Sequence, residues 1–117
     1  MDYELLFLKS LVLTILIETS VLIIFFRLIV KQKDIVLSKL LIAGFIASFA
    51  TLPYLWFIFP VYISPKIWYI IIGESFAILT ETVIIRAILR AKLIPSFFCS
   101  LSCNTVSFLT GLLLSWP

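Results

Sequence analysis

Four runs of mainly apolar residues, at about 4–29, 36–59, 67–89 and 95–115, divide the chain and are separated by short polar steps. Each is about 20 residues or longer, the length a helix needs to cross the hydrocarbon of a bilayer. None alternates apolar and polar positions as the strands of a barrel would. The pattern therefore predicts an all-α integral membrane protein, with four transmembrane helices packed as a compact bundle in a single domain, 1–117. Turn chemistry fits these bounds. Pro60 stops the second run, Ser64-Pro65-Lys66 precedes the third, and Pro95 suits the first turn of the fourth. Pro53 falls inside the second run, where its missing N–H frees the carbonyl of residue 49 and predicts a kink.

The polar residues that interrupt the runs carry a second pattern. Glu18-Thr19 and Glu81-Thr82 stand 63 positions apart, and Arg27 and Arg90 share that offset. Ser48 and Thr51 in the second run are matched in spacing by Asn104 and Ser107 in the fourth. Each half, about 1–63 and 64–117, reads as a helical hairpin with a central Glu-Thr step and a return helix carrying a central polar pair. Because each half crosses twice, the halves share one orientation, which predicts a parallel repeat about an axis along the membrane normal.

Composition supports this reading. Of 117 residues, 63% are apolar and 13% charged, with mean hydropathy +1.26, whereas soluble chains are about 45–50% apolar and about 25% charged. The formal charge of +3 is distributed as a topology signal rather than as a nucleic-acid surface. Arg27, Lys31, Lys33, Lys39, Arg86, Arg90 and Lys92 flank the first and third connections, against Lys9 and Lys66 on the other side. Short basic loops stay in the cytoplasm, so both termini are expected outside, with loops 30–35 and 90–95 cytoplasmic. Trp56, Trp68, Trp116, Tyr3, Tyr54, Tyr62 and Tyr69 all fall at the outer ends, where amphipathic rings favour the headgroup level. The first run reads as a retained span rather than a signal peptide, since Asp2 and Glu4 occupy the place of a basic n-region and no small-residue cleavage site follows.

The candidate chemistry is intramembrane. Ionisable groups inside spans are costly and mark ion or proton paths. Glu18 and Glu81 are the expected midplane ligands, with Asn104, Thr19, Thr82, Ser48 and Thr51 in support. Glu74 lies seven residues before Glu81, on nearly the same face and about 10 Å nearer the outer surface, as an outer relay. Hard oxygens of this kind suit Na⁺, Ca²⁺ or Mg²⁺, or protons alone. The expected function is thus cation or proton binding, and translocation, by a homodimer or a larger membrane complex. The alternative is an accessory or assembly subunit whose polar residues are interhelical glue.

The chain has no histidine and no glycine-rich phosphate loop, which removes most hydrolase, metalloprotease and nucleotide-binding templates. No catalysis, cofactor or nucleic-acid partner is expected. Cys99 and Cys103, four apart, read as small buried thiols. Arg86 reads as an interfacial anchor. The ladders Ala43-Ala47-Thr51 and Ser100-Asn104-Ser107-Gly111 read as packing seams.

Overall fold

A computed structural model describes residues 2–29 and 35–115. Among these the chain is all helical, with four helices long and apolar enough to span a membrane: α1 (Tyr3–Ile29), α2 (Leu37–Tyr62), α3 (Lys66–Leu89) and α4 (Leu93–Ser115). The polar segment 31–34 and Trp116 lie outside the described residues.

Two helices change pitch, and one of the two has an identifiable cause. In α2, Pro53 ends the regular stretch Leu37–Pro53, and the backbone widens to π geometry over Tyr54–Ile58 before a last short turn, Phe59–Tyr62. A ring without an N–H leaves an open carbonyl one turn back, and π widening is one way for a helix to continue past it. Pro60 does not stop the helix, contrary to the sequence expectation. It falls in the first turn of Phe59–Tyr62, where an N–H is not required. In α1 the same widening occurs over Phe25–Ile29 with no proline. Helix α4 starts at Leu93 rather than Pro95, which leaves Pro95 still within the first turn, among the amides that have no intrahelical partner. Helix α3 ends at Arg90, whose φ of 53° is a left-handed C-cap on a non-glycine residue.

The helices form a ring in chain order, α1 against α2, α2 against α3, α3 against α4 and α4 back against α1. The bundle measures 42 × 24 × 21 Å. The α1–α2 crossing is set by Gly44, where any Cβ would collide with the Thr19 hydroxyl and crowd the Thr19 Cα at 3.1 Å.

Polarity is inverted relative to a water-soluble bundle. Leu16, Leu28, Val61, Val83 and Leu113 are exposed, while Thr14, Glu18, Ser48, Thr51, Glu81, Ser96, Ser100 and Asn104 are buried. At one end the interior is apolar: Leu22, Phe25, Phe26, Leu40, Ile85 and Leu89 pack with Cys99 and Cys103 into a continuous core. At the other end the aromatics gather. Tyr3 packs at a tilt against Trp56 at a centroid distance of 5.0 Å, and Phe7 meets it edge-on at 5.8 Å. The Tyr3 hydroxyl donates to the Trp56 carbonyl and the Tyr69 hydroxyl to the Leu55 carbonyl, both at 2.5 Å.

A buried carboxyl pair at the floor of a vestibule

Between the aromatic end and the apolar core, every helix contributes a polar side chain to one cluster: Glu18 from α1, Ser48 and Thr51 from α2, Glu81 from α3 and Asn104 from α4. The glutamates are 2% and 1% exposed and Asn104 is 6% exposed. Glu18 and Glu81 lie within hydrogen-bonding reach of each other, with Ser48 also reaching Glu18 and Asn104 also reaching Glu81. The Thr51 hydroxyl stands 3.2 Å from Glu81 Oε2.

The donors do not suffice for four carboxyl oxygens. A hydroxyl has one proton, and Thr51 also meets the Ala47 carbonyl at 2.9 Å, as Ser48 meets that of Gly44 at 3.0 Å. Asn104 directs one of its two Nδ2 protons to the Ser100 carbonyl at 2.9 Å, which leaves one for Glu81. Two oxygens are left buried with no donor, Glu18 Oε1 and Glu81 Oε1. An unsatisfied buried oxygen costs about 1–3 kcal/mol, and more when charged. Two neighbouring carboxyls with such acceptors are satisfied by a shared proton or by a bound cation.

The pair is reached through a vestibule of about 410 Å³. Glu18, Thr51, Asn104 and Ser107 line its deep end and Glu74 lies higher up. Leu55, Trp56, Tyr69 and Phe108 line its walls, and the exposed Lys66 and Leu112 line its mouth. A side cavity of about 130 Å³, bounded by Leu55, Gly73 and Phe108, also touches Glu74. Beyond the pair, on the side away from the vestibule, lies the apolar core.

No family model matches this chain, and neither does any curated protein or solved structure. The geometry stands by itself.

Of the residues singled out by sequence, Glu18, Glu81, Ser48, Thr51 and Asn104 meet, and Glu74 lines the approach. Thr19 and Thr82 do not join them. Thr19 packs against Gly44 at the helix crossing, and Thr82 donates to the Ile78 carbonyl of its own helix at 2.6 Å. Arg86 is exposed, and Arg27 donates to the Ile35 carbonyl at 3.0 Å. Among the described residues, no three acidic or thiol side chains converge as a metal site. The lining residues Lys66, Trp56, Tyr69 and Phe108 were not marked as site residues by sequence. Trp56 and Tyr69 read as belt residues and Lys66 as a topology charge. Thr14, one turn above Glu18, and the Asn104-Ser107-Gly111 ladder carried the periodic signals that point into the vestibule.

Proposed function

We propose that this chain is a membrane-embedded protein that binds a cation or protons at the Glu18–Glu81 pair and carries them across the bilayer. The observation that carries the reading is a buried carboxyl pair whose Oε1 atoms, on Glu18 at the floor of the vestibule and on Glu81 beside it, have no donor. Membrane insertion is supported by the inverted polarity, since an apolar exterior of this extent is unfavourable in water. It is also supported by the 42 Å length of the bundle, close to the ~40–45 Å of a bilayer with its headgroups. Both termini and the vestibule lie outside in this proposal, with loops 30–35 and 90–95 in the cytoplasm.

The internal repeat belongs to the same proposal. Ring order sets α1 diagonally across from α3, and each supplies one glutamate to the shared centre, as two hairpins about a common axis would. The apolar core on the cytoplasmic side closes the path, so carriage requires Leu22, Phe26 and Ile85 to part. Four helices enclose little volume, and a homodimer or a larger membrane partner completes the proposed assembly.

The test is reconstitution into liposomes loaded with a pH-sensitive dye, followed by a cation jump outside. A lumenal pH change with wild type, reduced at least about tenfold in Glu18→Gln and Glu81→Gln, is the expected result. A pH change equal in all three proteins sinks the proposal. The alternative, interhelical glue in an accessory subunit, draws on the Ser100 hydroxyl bonding the Ile78 carbonyl across α4–α3 at 2.7 Å. Glue accommodates the donorless oxygens when a proton is held between the two carboxyls, and it then predicts no response to metal cations.

A further inference from the structure

We infer that the vestibule takes an organic ammonium ion, a monocation bearing an apolar or aromatic group, with its charge near Glu18 and Glu74 and its body against Trp56, Tyr69 and Phe108. This rests on the reading of Glu18 and Glu81 as a cation site and narrows the class of cation.

Size is the first argument. An inorganic ion held between two carboxyls needs only its coordination shell, whereas the space above the pair is about 410 Å³, within the range of small-molecule pockets. The walls are the second. Aromatic faces attract cations and are favoured partners of substituted ammonium groups, at about 0.5–2 kcal/mol each. These walls are held in place beforehand. Trp56 is braced by Tyr3 and, edge-on, by Phe7, and the Tyr69 hydroxyl is tied to the Leu55 carbonyl. A ligand therefore meets rigid rings and loses little ordering entropy to them.

Charge is the third argument. Among the described residues, Glu18 and Glu74 line the vestibule, Glu81 lies beside its floor, and Lys66 at the mouth is the one basic group in the lining. Glu18 Oε1 has no donor, so the floor of the vestibule attracts a cation and repels an anion. Lys66 is eight residues before Glu74 on α3, about 12 Å along the helix axis, and its charge weakens cation binding.

The experiment is isothermal titration of the detergent-purified full chain with benzyltrimethylammonium chloride, beside titrations with NaCl and with acid. Expected are saturable binding by wild type, an affinity at least about tenfold weaker in Glu18→Gln and in Glu74→Gln, and about threefold weaker or more in Trp56→Leu. Lys66→Gln is expected to bind between about two- and tenfold tighter, from removal of one charge about 12 Å away. Lys66 is exposed, so this variant folds whatever the fate of the buried ones, and an unchanged affinity there overturns the inference. So does benzyltrimethylammonium binding that Glu18→Gln leaves intact. If sodium or protons act through Glu18 while benzyltrimethylammonium does not bind, the organic class is wrong and the carboxyl site stands. If none of the three acts through Glu18, both readings fail.

Discussion

Gly44 and Thr51 show how single side chains hold the cluster. Gly44 has no room for a Cβ beside Thr19, so α1 and α2 approach closely enough for Ser48, one turn along, to reach Glu18. Gly44→Ala should lower stability by about 1–3 kcal/mol through overpacking. Adding Thr19→Ala should return only part of it, since the Thr19 backbone also crowds the site. Melting in detergent checks both. Thr51→Val keeps the shape and removes a hydroxyl that faces Glu81 Oε2 at 3.2 Å. A loss of about 1–3 kcal/mol is expected, and it should vanish when Glu81→Leu removes the acceptor. A Thr51→Val cost that persists beside Glu81→Leu would show that the hydroxyl serves only its own helix. Polarity inside an apolar run marked Glu18, Glu81, Ser48, Thr51 and Asn104 in the sequence, because each is costly there without a partner. It marked Thr19 and Thr82 equally. A hydroxyl that packs at a crossing or bonds its own helix looks the same in sequence as one that serves the cluster.

At the level of the helices, α2 couples proline chemistry to the vestibule. Leu52, Leu55 and Trp56 line the vestibule and lie at the change of pitch that begins at Pro53. Restoring an N–H with Pro53→Ala lets the π turn close to regular geometry, which rotates the residues after it by about 100°, one residue of an α-helix. Thermal stability should hold or rise while ligand response falls. A variant that keeps full response would separate the π turn from the site. The existence of the four helices was legible because length and hydropathy suffice for it. Their rotation was not. These helices are apolar on nearly every face, so no hydrophobic stripe marks the inward side; small-residue ladders mark it on α2 and α4, and the meeting of Glu18 with Glu81 follows from packing at Gly44 and those small residues. Pro60 was misread for a related reason. Proline stops a regular helix, but in the first turn after a π segment its missing N–H costs nothing.

For the whole molecule, polarity turned inward, an aromatic end and an apolar end give the bundle a direction. In the proposed topology, basic residues near one face and Trp and Tyr at the other give that direction its cytoplasmic and outer sides. Cysteine labelling in intact cells tests it. Cys99 and Cys103 are buried and give little background. Ser64→Cys should react with a membrane-impermeant maleimide and Arg90→Cys should not, and the reverse pattern would invert the topology. The one-sided vestibule, closed by the apolar core, was out of reach of sequence because it depends on which faces of all four helices converge.

The most direct measurement is the thermal stability of the detergent-purified protein across a panel of Na⁺, K⁺, Mg²⁺, Ca²⁺, Mn²⁺ and benzyltrimethylammonium, with Glu18→Gln and Glu81→Gln beside wild type. A ligand at a hundred times its dissociation constant stabilises by about 2.7 kcal/mol. The carboxyl pair as a cation site requires that at least one cation raise the melting temperature of wild type and that both variants lose that response. If no cation acts and both variants are as stable as wild type or more so, the glutamates are neutral packing and the cation site does not exist.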